Sequence, residues 1–491
     1  MNFQIFFQKM KMDIDKITGF CKEKGFLFPS SHIYGGLKGV FDYGPLGTQL
    51  KQNILQQYWN YFLIPHDNIV SQDGSIMLNE KVLEASGHVK NFNDPVAIST
   101  KGERMRADHL LEEHFPNMKA ETMSYAELLA FMQETDIRIG NDRVAFVEEA
   151  NLMFSTKTFN GPKCYLRPET CQNIFVNAKL VADLSRLTLP FGICQHGKVF
   201  RNEISPQNFV FRCREFEQLE LEFFFNPSLV LEPKVAHFEI ACSFANGENR
   251  LIQLEELIDR VHFWHLHWMR QMLVWLTQHI GLTREKLRLR EHHPDELSHY
   301  SSATFDVEYL YPIGQESSFK ELCGLANRGD YDVSQHAKYS SKNLKFKCPQ
   351  TGDKLYPHVI ELSIGMERLF LAVICDAYEF NMERDYEVLH LKESLSPIEY
   401  AIFPLPSKNH EKQLFLDCAL DIQSRLKLKH KHTFYETTGS IGKRYARQDS
   451  RGTKWCITVD DMTLECRSIT IRDRDDKSQR RINIDDFFNE L

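Results

Sequence analysis

Residues 200–222 read FRNEISPQNFVFRCREFEQLELE. The stretch divides into two strand-forming runs around a polar loop, with Arg201, Arg212, Arg214 and a series of glutamates in one hairpin. A strand that only builds a core alternates apolar with polar side chains and presents one apolar face. In the second run Arg212, Arg214, Phe216, Gln218, Glu220 and Glu222 fall on a single face that is polar except for one ring. Guanidinium groups, a flat ring and carboxylates on one rigid surface suit a phosphate, a base and an ammonium group. The charge pattern alone leaves a second reading open: a solvent-facing hairpin held by cross-strand ion pairs, each worth little.

Residues 357–378, PHVIELSIGMERLFLAVICDAY, carry a matching asymmetry. Ile360, Leu362 and Ile364 point one way along a strand, while Glu361 and Ser363 point the other. Gly365 permits a turn, and Arg368 falls in the first turn of a helix whose Leu369, Phe370, Ala372 and Val373 belong to a core. Tyr165 to Thr170 (YLRPET) places Arg167 and Glu169 on one strand face. Two further polar-rich stretches, REHHPDELSHYSSATFDVEY and KELCGLANRGDYD, stand between the hairpin and the last strand. Near the start, GGLKGVFDYGPLG gives way to a helical pattern with Leu50, Ile54, Tyr58 and Phe62 at four-residue spacing. Pro65 closes that helix, and DNIVSQDGSIML reads as a strand. Residues 91–150 have the character of an insertion, with one charged helix at RADHLLEEHF and another from Tyr125 to Glu134. The span 251–282 reads as a helix in which His262, His265 and His267 accompany Trp264, Trp268 and Trp275, a pattern of aromatic packing rather than of metal ligation. A boundary falls at about 395–408, where SPIEYAIFPLPSKNH (396–410) opens a strand–helix–strand pattern that continues to the end, as in a small α/β domain.

The 491 residues suffice for two or three domains, and 42% hydrophobic with 26% charged residues is ordinary for a globular chain. No apolar run approaches the ~20 residues that span a bilayer. MNFQIFFQKMKM at the N-terminus lacks the charged start and long apolar core of a signal peptide, with Met10 and Met12 as alternative starts. The expectation is a cytoplasmic protein without a membrane segment. Its 12 cysteines include no CxxC pair, so neither a disulfide framework nor a zinc ribbon is indicated. A net charge of -8 argues against nonspecific coating of nucleic acid. Between Arg425 and Arg447, however, Arg425, Lys427, Lys429, Lys431, Lys443, Arg444 and Arg447 face a single acid, Glu436.

FRNEI, a loop and then FRxREFEQ resemble motif 2 of the class II aminoacyl-tRNA synthetases, in the form found in dimeric glycyl-tRNA synthetases. The helix after Gly44-Pro45 with its strand is similar to their motif 1, and residues 357–378 are similar to motif 3. The resemblance runs from about Gly35 to Ile484 with the motifs in family order. It implies an α+β fold, an antiparallel sheet flanked by helices, over residues 1–91 and 151–394. Residues 92–150 would be the inserted module and 395–491 a C-terminal α/β anticodon-binding domain. The implied activity is formation of glycyl-adenylate from glycine and ATP, then glycyl transfer to the terminal adenosine of tRNA(Gly), by a homodimer using Mg²⁺.

Carried over residue by residue, Arg201 would bind the α-phosphate, Phe216 would stack on adenine and Arg368 would grip the γ-phosphate. Arg201, Glu203 and Arg368 would be the catalytic set. Asn202, Phe211, Arg212, Glu321, Leu322 and Gly365 would complete the ATP contacts, with Glu321 and Glu361 as magnesium ligands. Glu169, Glu217, Gln218, Glu220, Glu361 and Ser363 would line the glycine pocket, with Arg106 and Arg328 as partners of its carboxylate. Some glycyl enzymes carry a cysteine zinc site in the insertion; this chain has STKGERMRADH there, so no structural zinc is expected. Asn173, His196, Leu362 and Met366-Glu367 depart from the family pattern without removing a charged group of the site. A catalytically inactive relative that binds nucleic acid would be expected to lack Arg201, Glu169 or Arg368, and all three are present. An enzyme passing the adenylate to another acceptor is disfavoured by the anticodon-like segment. The basic run at 425–447 would meet tRNA phosphates, with a solvated helix face as the alternative.

Overall fold

The computed structural model describes residues 13–115, 123–229, 237–298, 300–314, 317–382, 385–405 and 412–491. The N-terminal MNFQIFFQKMKM and the end of the 395–408 boundary stretch lie outside them. At the centre is a nine-stranded sheet, whose strands in chain order are β1 (Ile69–Gln72), β2 (Phe191–Phe200), β3 (Glu215–Phe225), β4 (Glu239–Ser243), β5 (Asn249–Gln253), β6 (Leu287–Glu291), β7 (Ala303–Tyr311), β8 (Ser318–Gly329) and β9 (His358–Gly365). They lie in the order β5-β4-β6-β7-β8-β9-β3-β2-β1. Only β1 on β2 and β4 on β6 run parallel; the other neighbours are antiparallel.

Strand parity decides what each face does. Leu219, Leu221, Phe223 and Phe225 of β3, with Ile360, Leu362 and Ile364 of β9 and Phe305 and Val307 of β7, belong to one large buried cluster. The Phe263–Val274 helix covers that face, with Trp264 and Trp268 packed on the Phe223 ring at 4.6 and 5.1 Å between centroids. Such aromatic pairs add ~0.5–1.5 kcal/mol each beyond their buried area. The opposite face is apolar only at one end, where Phe224 joins the Cys171–Ser185 helix and Val333 of the Tyr331–Ser340 helix in a separate cluster. Its remaining length is polar and open. The helix expected over 251–282 therefore begins later than its apolar spacing suggests. Residues 249–253 pair as β5, and His262 caps the helix by accepting the backbone N–H of Trp264 at 3.2 Å.

The Pro45–Tyr58 helix buries Leu50, Ile54 and Tyr58 and continues through Leu63. The strand expected after it is two pieces in different sheets: β1 on the central sheet, and Met77–Asn79 paired with Lys163–Leu166. Within 92–150, strands Asn93–Ser99, Arg104–Arg106, Arg138–Ile139 and Asp142–Asn151 form a four-stranded sheet. Helices Ala107–His114 and Tyr125–Glu134 close a core of their own over it, including Leu111, Leu128 and Met132. In the C-terminal part a five-stranded sheet runs in the order Thr433–Tyr435, Tyr400–Pro404, Trp455–Val459, Ser468–Asp473, Gln479–Asn483. Helices Lys412–Leu428 and Ile484–Glu490 pack Phe415, Ile422, Phe487 and Phe488 against it. Buried Asp449, held by both Arg472 nitrogens at 2.8 and 2.9 Å, also accepts from Tyr386 and so ties this part to the preceding segment. No helix among the described residues is long and apolar enough to cross a membrane.

Candidate active site

The open stretch of the polar face forms the floor of a cavity of about 290 Å³, lined by residues of β3, β7, β8 and β9, the 201–216 segment and the Met366–Ala377 helix. Its two ends differ in chemistry. At one end stand Arg201, Arg212 and Arg368 with Phe211 and Phe216; at the other stand Glu169, Glu220, Glu361 and Ser363.

The cationic end is built from backbone anchors. Arg201 leaves β2 directly, and its Nε donates to the carbonyl of Pro168 at 3.0 Å. Its guanidinium lies 5.4 Å from the ring centroids of both Phe92 and Phe216. Arg368 donates from Nε to the Phe211 carbonyl at 3.2 Å, stacks on the Phe211 ring at 4.6 Å and pairs with Glu321 at 2.9 Å. Arg368, paired with it, holds the Glu321 carboxyl below the usual range. Glu203 lies 3.9 Å from Arg212 and keeps one oxygen without a hydrogen bond. β3 begins only at Glu215, so Arg212 reaches the cavity from the preceding segment. Arg214 instead spends its guanidinium on the carbonyls of Glu203 and Lys38, both at 3.0 Å.

The carboxylate end is a layered set of buried acids. Glu169 accepts at Oε1 from Cys171 and Gln172, both at 3.0 Å, and its Oε2 lies 3.3 Å from His88 Nε2. Burial opposes its charge, yet His88 and Arg328 hold it well below the usual carboxylate range. Glu220 accepts from Thr170 Oγ1 and, at 3.0 Å, from Ser363 Oγ, which in turn accepts from Gln218 at 3.3 Å. Burial and the neighbouring carboxylates Glu361 and Glu169 push Glu220 up to about 8. Glu222, fully buried behind it with no hydrogen bond to either oxygen, is pushed well above the usual range by burial and by Glu361. Glu361 is also raised by burial, although Arg328 donates to it at 2.8 Å.

Several residues named from the sequence stand elsewhere. Glu217 has the opposite parity to Glu220, so its carboxylate leaves the cavity face and pairs with Lys51 and His196, both at 2.6 Å. Burial would raise it, but those two partners bring it down to about 2. Arg106 does not line the cavity either. Its guanidinium is taken by Asp108 and by Asp94, the latter at 2.8 Å. Arg328, 1% exposed, is engaged by Asp332 at 2.7 and 3.0 Å and by Glu361, so it supports the pocket from behind. Arg167 is likewise a buried strut. It donates to the carbonyls of Lys198 and Gly74 at 2.7 and 2.6 Å across Gly197, where a Cβ would meet its Nη2 at 2.0 Å. Leu322 is a core residue, and Asn202 is held through its backbone N–H by the Leu152 carbonyl at 2.7 Å. Glu321 and Glu361 do not converge: Glu361 stands opposite Ala326, five residues along β8 from Glu321 or roughly 16 Å.

Other cavity residues had no role assigned from the sequence. Asp306 lines the cavity with His292, which pairs with it at 2.7 Å. Alternation in TFDVEY, with Phe305 and Val307 in the core, is the signal that would have found Asp306. His88 has no such local signal, because its partner Glu169 is remote in sequence.

The long, mostly antiparallel sheet has the class II aminoacyl-tRNA synthetase fold, and its polar face carries an arginine-and-aromatic end and an acidic end. Among solved structures the chain superposes on Giardia lamblia prolyl-tRNA synthetase in complex with prolyl-adenylate, with a TM-score of 0.60 and 13% identity over 97% of this chain and 76% of that one. Residues 399–491 match the family model for an anticodon binding domain. The chain is 42% identical to the glycine--tRNA ligase of Mycoplasmopsis synoviae (strain 53), over 95% of its own length and 96% of the relative's. It is 40% identical to the enzymes so named from Clostridium perfringens (strain 13 / Type A) and Staphylococcus aureus (strain JH9), with coverage of 96% and 97% of both chains respectively. The chain belongs to the glycine--tRNA ligase family.

Proposed function

We propose that the protein activates glycine with ATP on the polar face of the central sheet and transfers the glycyl group to the 3′-terminal adenosine of tRNA(Gly). One observation carries this reading: a single cavity joins an Arg201–Phe216–Arg368 end, suited to a nucleotide, to a Glu169–Glu220–Glu361 end, suited to an ammonium group. In this reading Phe216 stacks on adenine, Arg201 meets the α-phosphate and Arg368 the γ-phosphate, with Glu203, Phe211, Arg212 and Gly365 completing the nucleotide site. The glycine ammonium is received by Glu169, Glu220, Glu361 and Ser363. Its carboxylate attacks the α-phosphorus, pyrophosphate leaves, and the arginines offset the charge that accumulates. The terminal hydroxyl of tRNA then takes the glycyl group from the adenylate, releasing AMP. In this reading a side chain on Cα would clash with the walls of the acidic end, and no amino acid smaller than glycine exists, so binding alone discriminates.

Mg²⁺ suits this site because it needs only one or two carboxylates besides substrate phosphates and waters. Glu321, half-exposed, and Asp306 both line the cavity and would hold the ion; Glu361, far along the strand from Glu321, would not share it. When bound, the ion supplies positive charge to the phosphates. Residues 92–150 are read as an inserted module and 395–491 as the tRNA-anticodon domain. The enzyme is read as a cytoplasmic homodimer joined through the region of the Pro45–Tyr58 helix. Pyrophosphate exchange into ATP tests the activation step. Exchange with glycine and none with alanine or serine is expected, and exchange independent of the amino acid would overturn the reading.

A further inference from the structure

The segment Ser86–Phe92 does not line the cavity but touches a lining residue at each end of it, Glu169 and Arg201, without belonging to any of the three motifs. It contains one helical turn, His88–Asn91, that leads straight into the first strand of the inserted sheet. His88 is buried, with Ser86 Oγ at 2.8 Å from Nδ1 and Glu169 Oε2 at 3.3 Å from Nε2. Ser86 Oγ is itself 3.3 Å from the Leu83 carbonyl. Ser86 Oγ can serve Nδ1 as donor or acceptor, and the ionised Glu169 carboxylate favours the ring form with a proton on Nε2, so that Nε2–H donates to Glu169. One turn on, Phe92 packs against the His88 ring, with centroids 5.3 Å apart, and lies beneath the Arg201 guanidinium at 5.4 Å. The backbone repeats the link: Leu152 N donates to the Phe92 carbonyl at 3.1 Å, and Asn202 N to the Leu152 carbonyl.

We infer that Ser86, His88 and Phe92 are positioning residues, His88 aiming Glu169 at the glycine ammonium and Phe92 holding Arg201 at the nucleotide. The inference rests on the function proposed above and adds a division of labour within one short turn. Glu169 has three donors around it, but Cys171 and Gln172 share Oε1, so among the described residues His88 is the hydrogen-bond partner that anchors Oε2. Phe92 and Phe216 flank the Arg201 guanidinium, and only Phe216 would also be needed by the base.

The test is steady-state pyrophosphate exchange by the full chain, with KM measured separately for glycine and ATP, and a melting curve for each variant. His88→Ala is expected to raise the glycine KM about tenfold or more, as for loss of a hydrogen bond to a charged group, and to leave the ATP KM within about twofold. His88→Gln, which restores an N–H toward Glu169, is expected to recover most of that loss. Ser86→Ala preserves the fold most safely and is expected to give a smaller rise in the same parameter. Phe92→Leu keeps the bulk without the ring face and is expected to raise the ATP KM while sparing glycine. Equal shifts of both KM values in His88→Ala, or a His88→Gln variant no better than Ala, would reduce the turn to a purely structural role and overturn the inference. Absence of exchange in the unmutated chain removes the proposed function and the inference with it. Exchange in that chain with an unchanged glycine KM in His88→Ala removes the inference alone.

Discussion

Glu169 and Glu220 are both buried at the acidic end of the cavity, yet their surroundings demand opposite behaviour from the same substitution. Burial and the neighbouring Glu361 and Glu169 push Glu220 up to about 8, so at pH 7 its protonated form predominates in the free protein. An amide is close to its resting state, and its two hydrogen-bond partners, Thr170 and Ser363, are hydroxyls that can turn to accept. Glu220→Gln should therefore change stability by less than ~1 kcal/mol. Glu169 is ionised and surrounded by three donors that cannot all be satisfied by an amide. Glu169→Gln turns an N–H toward one of them, and leaving a buried donor unsatisfied while losing a charge-assisted bond costs about 2–4 kcal/mol. For glycine the two variants should converge, because each removes a carboxylate from the ammonium. The glycine kcat/KM should fall by roughly tenfold to a hundredfold in both. Urea unfolding at pH 7 gives the first quantity, and pyrophosphate exchange at saturating ATP gives the second. If Glu220→Gln unfolds as early as Glu169→Gln, the assignment of Glu220 as the neutral acid is wrong. If its glycine KM is unchanged, Glu220 does not meet the ammonium.

The same assignment fixes a pH dependence. Glu220 attracts an ammonium only when ionised, so the glycine KM should fall as pH rises from 6, by up to about tenfold per unit, and level off above about 8. A flat profile would contradict it, and Glu220→Gln should abolish the slope. In the free protein the sign is opposite: the raised group favours the fold fully below the ordinary carboxylate range and progressively less as pH rises through about 8. Glu217→Gln tests the parity correction. It should lower stability through the loss of Lys51 and His196 while leaving the glycine KM in place, and the Glu217 contribution should be present above the ordinary carboxylate range and vanish as pH falls toward about 2. In the C-terminal domain Arg444 donates to the carbonyls of Pro404, Glu436, Thr437 and Gly439, so Arg444→Ala should destabilise by about 3 kcal/mol or more. Lys443→Ala, which removes a side chain without a partner among the described residues, should leave the melting temperature alone and weaken tRNA binding in filter assays; equal effects of the two variants on stability would refute the distinction.

Much of the sheet was legible because alternation is a local property. Ile360, Leu362 and Ile364 against Glu361 and Ser363 needs no knowledge of the rest of the chain. The same rule, applied strictly, separates Glu217 from Glu220, which the family resemblance places together in the glycine pocket. Arg106, Arg328, Arg167 and Arg444 illustrate what alternation leaves out. An arginine in a motif looks available to a ligand, but its five donors are as readily consumed by remote carboxylates or loop carbonyls, and those partners are set by tertiary contacts. The same holds for His88, whose role exists only once its turn is folded against Glu169. The helix over 263–274 was overextended for a related reason: Leu251 and Ile252 continue its apolar content, but β-pairing with Ala241 and Ile240 claims them first.

The most direct test of the whole account is charging of a tRNA(Gly) transcript with labelled glycine, with alanine and serine as competing amino acids and a tRNA(Ala) transcript as the control acceptor. The cavity, its acidic end and the anticodon-binding domain together predict a stable glycyl ester on tRNA(Gly) alone, dependent on ATP and unaffected by excess alanine or serine. A chain that binds tRNA(Gly) but forms no ester, or one that esterifies alanine equally well, would contradict it.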